Sequence, residues 1–332
     1  MKRNSIALLV LLLALVLALA VVACEGEEGT DTTAPEGTET TAGGTETTAP
    51  AEYDINTIIA GIDVDTELHD ALPEALKTSG AIKVASDIPW PPWEMYVTEG
   101  SDQLTGFDYD LGQALGAVLG VEFEFVQTTF DNTIPSLESG KNDIIMSAMY
   151  DQLVRREDVD FVDYARDGTS FLVMKGNPDG VTNLESLAGK TVGAERATTQ
   201  VVLLENTNEQ LTAAGQTEIT INQYDTGPDA TVALQSGKVV AYLTDNSTAH
   251  YIAQTTEAGS VFEVVIDPAN PNGYNPQIDG IGVLKGNDQL RDTIKQALQA
   301  LIDNGVYTQI VEHYGLIPVD SAEINQGTDP GE

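Results

Sequence analysis

Cysteine is almost missing from this chain: Cys24 is the single one among 332 residues. An internal disulfide is therefore excluded, and the fold must be held by its core, as large domains outside the cell are. Histidine is scarce too. His69, His250 and His313 stand far apart in sequence with no metal-ligand spacing, so no metal site is expected and all three read as structural or surface residues. Basic residues are the third deficit. There are 15 Lys and Arg against 52 Asp and Glu, a formal net charge of −37. Such a charge repels phosphate backbones and argues against nucleic acid as a partner. It also leaves no basic patch for a membrane surface, and its plain reading is solubility at high protein density or high salt. Hydrophobic residues make up 42% and aromatics 6%, ordinary for a globular protein with a full core. The length allows two domains.

A long apolar run stands at the start. Lys2 and Arg3 precede Ile6–Ala20, rich in Leu and Ala, which reads as an export signal over residues 1–24. Val21-Val22-Ala23-Cys24 resembles a bacterial lipobox. That resemblance implies that Cys24 is lipidated, becomes the first mature residue and ties the protein to the membrane. The apolar run approaches the ~18 residues of a transmembrane helix, so an uncleaved anchor is the alternative. Either way the rest sits outside and tethered, at the cell surface or in the periplasm. Residues 25–51 are Glu, Gly, Thr and Pro with a repeated Gly-Thr-Glu-Thr-Thr. They offer too little apolar surface to order a backbone and are expected to form a disordered stalk.

From residue 66 onward short strands and helices alternate, the pattern of the α/β class. Leu68, Leu72, Ala75 and Leu76 share one face of a helix over 66–78, with Pro73 as an alternative start. Ile82–Ala85 is the first strand. It runs into Ser86–Glu94, SDIPWPPWE, a stretch too rich in Pro and Trp for a regular element and predicted to be a stiff loop. Asp108 is expected to cap a helix with the core face Leu111, Leu115, Val118 and Leu119. Val121–Val126 alternates like a half-buried strand, and Phe130 precedes a helix over Ile134–Leu137. Val239–Leu243 is a strand, and Asp245 after it reads as the N-cap of a helix over Asn246–Ala253. Residues 267–279 form a Pro/Asn-rich loop with no assigned place.

The stretch Asp143–Phe161, DIIMSAMYDQLVRREDVDF, organises the rest. An apolar run turns through Ser147 and Ala148 into a charged segment with helical spacing, then into Val159-Asp160-Phe161. Arg155 draws notice, because a planar guanidinium grips a carboxylate with two parallel hydrogen bonds. The plainer reading puts Arg155 and Arg156 on a solvated face beside Glu157 and Asp158. The stretch resembles the central signature of the family 3 extracellular solute-binding proteins, receptors of polar amino-acid ABC transporters. Met146, Ser147, Ala148, Met149, Arg155, Val159, Asp160 and Phe161 carry it. Trp90 before Pro91-Pro92-Trp93-Glu94, and Gly106-Phe107-Asp108-Tyr109-Asp110-Leu111, are similar to further segments of that family. Matching segments run from about Leu72 to Leu316.

The resemblance implies an α/β, two-lobed, periplasmic-binding-protein-like (type II) clamshell with two inter-domain crossings. Lobe 1 is expected over 52–169 plus 279–318, lobe 2 over 170–278, and a flexible tail over 319–332. The ligand is then a free polar amino acid in the cleft, delivered to ABC transporter permease subunits by a monomer without a cofactor. Arg155 clamps its carboxylate, helped by the helix start Ala197-Thr198-Thr199-Gln200, since free N–H groups at such a start bind anions. Ala197 stands where the family has Gly. Asp245 takes the amino group, near Tyr150, which replaces a small hydroxyl residue of the family; Ser147 and Ala148 belong to the same ligand-binding set. Trp90 packs on the ligand, Phe130 faces its side chain, and Trp93 is a core anchor. Asp87 and Glu195 stand at the far end and lean the ligand towards Arg, Lys or a relative, whereas Arg196 complicates that lean. Two alternatives stand beside this. One is a sensing receptor without a transporter. The other is a cyclohexadienyl-dehydratase-like enzyme, against which the sequence shows no close acid–base pair.

Overall fold

The computed structural model describes residues 53–98 and 100–329. The export signal, Cys24 and the 25–51 stalk lie outside the described residues. Among those described, no helix is long and apolar enough to cross a membrane.

Helices α1 (Ile55–Ala60) and α2 (Thr66–Ala71) start at Asp54 and Asp65, whose carboxylates accept the free N–H groups of the first turn. Pro73 splits the helix predicted over 66–78: it sits at the N-cap of α3 (Glu74–Ser79). Strand β1 (Ala81–Ser86) feeds the Pro/Trp loop, and β2 (Met95–Tyr96) pairs with β3 (Leu104–Thr105). Helix α4 (Phe107–Leu119) buries Phe107, Leu111, Leu115, Val118 and Leu119. Its N-cap is Gly106, which corrects the expected Asp108 cap. The buried carboxylate of Asp108 accepts the N–H of Ala148 at 3.0 Å instead. Strand β4 (Glu122–Gln127), helix α5 (Thr133–Glu138) and strand β5 (Ile144–Ile145) complete the first α/β run. The charged segment that follows forms only a 3-10 turn, Arg155–Glu157.

Strand β6 (Val159–Met174) has 16 residues, roughly 50 Å of extended chain. A second α/β run follows: β7 (Thr191–Glu195), α6 (Thr199–Ala213), β8 (Thr220–Tyr224), α7 (Gly227–Gln235), β9 (Ala241–Asp245), α8 (Asn246–Thr255) and β10 (Phe262–Val265). Strand β11 (Tyr274–Leu284) returns the chain, beginning inside the segment read as a loop over 267–279. Helices α9 (Asp288–Asp303) and α10 (Val306–Tyr314) and strand β12 (Glu323–Ile324) close it.

The strands run in the order β4-β1-β5-β11-β6-β9-β7-β8, with β10 and β12 also on β6. Strand β1 is parallel to β4 and β5, and β7 is parallel to β8 and β9. The long antiparallel pair β6 and β11 joins these two parallel groups, so the fold is a two-lobed α/β clamshell with two crossings. Ladder register shifts between Tyr274/Gln277 and Asp279/Gly280; such breaks re-aim side chains. Ile82, Val84, Leu111, Leu115, Ile294 and Leu298 are buried in one core, and Phe171, Val192, Leu204 and Leu243 in another. Trp93 is a core residue, edge-on to Phe107 at 5.5 Å and Tyr164 at 6.2 Å.

The tail differs from expectation. Over 319–329 it is not loose: β12 pairs with β6, Ala322 is buried, and Asp329 accepts the N–H of Leu153 at 2.9 Å. Main-chain hydrogen bonds hold this segment, and a polar sequence without apolar periodicity does not announce them.

Candidate functional site

The walls of the cleft lie close together and leave a cavity of about 10 Å³, lined by Trp90, Phe130, Ser147, Ala148, Tyr150, Arg155, Glu195, Thr198, Thr199, Gln200 and Asp245. That is room for no more than about one water, so a small ligand enters this site only when the walls part. Every cleft residue picked from the sequence is there except Asp87.

The turn after β5 forms one wall. Ala148 has a positive φ of 43°, a backbone that costs an L-residue energy and recurs at functional sites. Three bonds hold it. Asp87 N–H donates to Ser147 Oγ at 2.8 Å, Ser147 O–H donates to Glu94 Oε1 at 2.7 Å, and Ala148 N–H donates to Asp108. The Ser147 hydroxyl therefore serves the scaffold. Asp87 lies behind the wall, its carboxyl facing that of Glu195. Burial pushes Asp87 up to about 6, and burial together with the Asp87 charge pushes Glu195 up to about 10. Neither Glu195 oxygen has a well-formed hydrogen bond among the described residues.

Asp245 ends β9. Its Oδ2 accepts Trp90 Nε1–H at 2.9 Å, and its Oδ1 accepts Tyr150 O–H at 2.9 Å and Gln200 Nε2–H at 2.7 Å. A carboxylate offers about four acceptor sites, so room remains for one more donor. Asp245 opens α8 by position, but its side chain makes no cap bond. Burial pushes it up to about 6, against the pull of its three donors and of Arg155.

Arg155 is buried over the face of Phe130, its Cζ 5.2 Å from the ring centre. Nη1 donates to Tyr150 O at 2.8 Å and Nη2 to Ala197 O at 3.2 Å. A guanidinium has five donors, so most of the fork is left for a ligand. Burial lowers Arg155 to about 10, still a cation at neutral pH. The ion pairing expected of a surface arginine belongs to Arg156, whose partner at 2.5 Å is Asp151 rather than Glu157 or Asp158.

Thr198 is the N-cap of α6, and the preceding Ala197 has φ 61°. Left-handed backbone costs an L-residue roughly 1–2 kcal/mol, which explains why a glycine suits this position. The Thr198 and Thr199 hydroxyls donate locally, to Glu195 O and Gln200 Oε1. The first main-chain N–H groups of a helix have no partner within it. Arg196 points elsewhere: it is half-exposed and pairs with Asp225 and, at 3.9 Å, with Asp131.

Sequence reasoning missed Asp279. It is fully buried on β11 with no partner for either oxygen among the described residues. Burial pushes it well above the carboxylate range, with Asp245 and Asp167 adding and Arg155 subtracting. A charge inside the apolar run Ile278-Asp279-Gly280-Ile281 was the available signal. The expectation of no close acid–base pair is also corrected, because folding brings Asp87 against Glu195. The cavity wall carries two buried carboxyls, Glu195 and Asp245, and one buried guanidinium, Arg155, while Asp87 and Asp279 are buried outside the lining.

Residues 82–317 match the model of the bacterial extracellular solute-binding proteins, family 3. The arginine-binding protein ArgT of Corynebacterium glutamicum is 29% identical over 265 residues, 78% of this chain and 83% of that protein. Among solved structures, an ancestral arginine-binding protein bound to arginine is 32% identical with a TM-score of 0.60, covering 71% of this chain and 98% of its own. The ancestral amino-acid-binding protein AncCDT-1, a precursor of cyclohexadienyl dehydratase, is 28% identical with a TM-score of 0.63, covering 73% and 98%.

Proposed function

This chain belongs to the bacterial extracellular solute-binding proteins, family 3, and on that premise we propose that its cavity holds one free basic L-amino acid, arginine or a relative. Arg155 and the N–H groups opening α6 take the carboxylate, and Asp245 takes the ammonium. Glu195, with Asp87 behind it, meets the cationic end of the side chain, and Trp90 and Phe130 flank the stem. The observation that carries this reading is the balance of ionisable groups at the cavity: Glu195 and Asp245 on its wall, with Asp87 and Asp279 buried outside the lining, against the one guanidinium of Arg155. Ionising a buried carboxyl without a cation is costly, so Glu195 keeps its proton in the free protein, and a basic ligand supplies the positive charge that lets it ionise. The likeness to arginine-binding proteins supports the same choice.

The site draws on both lobes, proposed as 52–169 with 279–318 and 170–278. Ligand therefore favours the closed form, which docks as a monomer on an ABC permease and delivers the amino acid. The signal over 1–24 exports the chain, Cys24 carries lipid, and the 25–51 stalk spaces the receptor from the membrane. The Asp87–Glu195 pair serves charge recognition, not catalysis, so prephenate or arogenate incubated with the protein is expected to yield no decarboxylated product.

A thermal-shift panel of the common amino acids tests the reading. Arginine and lysine are expected to give the largest shifts, since ligand at about 100 Kd adds about 2.7 kcal/mol of stability. A largest shift with Glu or Asp overturns it.

A further inference from the structure

We infer that residues 323–329 are a strap that holds the Arg155 turn from outside and thereby sets the grip of the site on a carboxylate. The inference rests on the reading of Arg155 as the carboxylate ligand. The strap begins where β12 pairs with Val162 and Asp163 of β6. Asn325 then trades bonds with Phe161: its N–H donates to Phe161 O at 3.1 Å, and its Oδ1 accepts Phe161 N–H at 2.8 Å. Gln326 N–H donates to Asp163 Oδ2 at 2.8 Å and Gly327 N–H to Asp151 Oδ2 at 2.8 Å. Two bonds return from the turn: Arg156 Nη2 donates to Gly327 O at 2.7 Å, and Leu153 N–H donates to Asp329 Oδ1 at 2.9 Å.

These contacts bracket Arg155. Asp151, Leu153 and Arg156 lie on either side of it in sequence. The inner face of the same turn is pinned to β11, where Asp151 N–H donates to Ile278 O at 2.8 Å and Gly280 N–H to Met149 O at 3.0 Å. The turn has little of its own to fix it: a single 3-10 turn, with Leu153 and Val154 exposed. Segments with few buried apolar contacts open easily, and a ligating side chain on such a segment needs support from its neighbours. The strap supplies it from one side and β11 from the other. Contact at Gly327 is close enough to exclude a side chain: an added Cβ would stand 1.9 Å from Asp151 O.

Three variants of the full chain test this: deletion of 323–332, Gly327→Ala, and Thr328→Ala at an exposed strap position as control. Amide hydrogen exchange is followed over 150–157. L-arginine and L-argininamide, which lacks the carboxylate, are titrated calorimetrically. The deletion and Gly327→Ala are expected to speed exchange over 150–157 at least about tenfold and to weaken arginine about tenfold, with argininamide little changed and the control like wild type. Unchanged exchange over 150–157 overturns the strap. Equal loss of both ligands also overturns it, because that is what general destabilisation gives. So does faster exchange with arginine affinity intact. Should wild type bind neither ligand, the amino-acid reading fails, while exchange still decides whether the strap holds the turn.

Discussion

Tyr150 and Asp245 meet across the cleft: the phenol of Tyr150 donates to Oδ1 of Asp245 at 2.9 Å. Tyr150 follows the β5 turn and Asp245 ends β9, so this bond ties the two parallel strand groups to each other; with the lobes as proposed, it is expected to break when the cleft opens. It also orients the carboxylate assigned to the ammonium. Tyr150→Phe removes that bond and keeps the ring. Calorimetric affinity for arginine is expected to fall by about 1 kcal/mol, and unchanged affinity would show the phenol to be idle.

Proton traffic follows from the Asp87–Glu195 pair. Burial holds Glu195 at about 10 and Asp87 at about 6, so at neutral pH the pair keeps a proton that a cationic ligand expels. Arginine affinity is expected to rise between pH ~6 and ~8, by up to about tenfold per unit for one proton released. The binding heat should then depend on the ionisation heat of the buffer; no such dependence contradicts the assignment.

Stability of the free protein runs the opposite way. Unfolded carboxyls titrate near ~4, whereas Asp167 and Asp163, lifted mainly by burial, titrate at about 7 and about 8 in the fold. Above pH ~4 the unfolded chain has released protons that the folded chain still binds, so stability falls as pH rises through the folded values. Thermal melts are expected to give a higher Tm at pH ~5.5 than at pH ~8. A rising Tm over that range contradicts this.

Gly227 opens α7 against the indole of Trp90, and a Cβ there would lie 2.7 Å from the ring. Alanine suits a helix better than glycine, so Gly227→Ala is expected to leave the lobes folded while wedging the closed cleft. Arginine affinity should drop at least about tenfold, and X-ray scattering of the liganded protein should show a wider particle. Wild-type affinity would mean that Trp90 yields.

The cleft was legible where local spacing carries the chemistry. Arg155 sits at a fixed distance after Met146-Ser147-Ala148-Met149, Asp245 ends an apolar strand, and Trp90 stands beside two prolines; each is a short-range pattern. What stayed hidden depends on partners distant in sequence. The role of Asp108 needs Ala148, reached at 3.0 Å only after folding. Asp279 and the start of β11 fall in or beside a Pro/Asn-rich run, and pairing with β6 overrides that composition. The strap is polar and held by main-chain bonds, so it lacks the apolar rhythm by which sequence reading finds an element.

The central claim is that Arg155 receives a ligand carboxylate. L-arginine titrated calorimetrically into wild type and Arg155→Ala tests it most directly. A loss of roughly 2–5 kcal/mol in binding free energy is predicted, because the carboxylate is left buried and unpaired. Equal affinity in the two proteins contradicts the account.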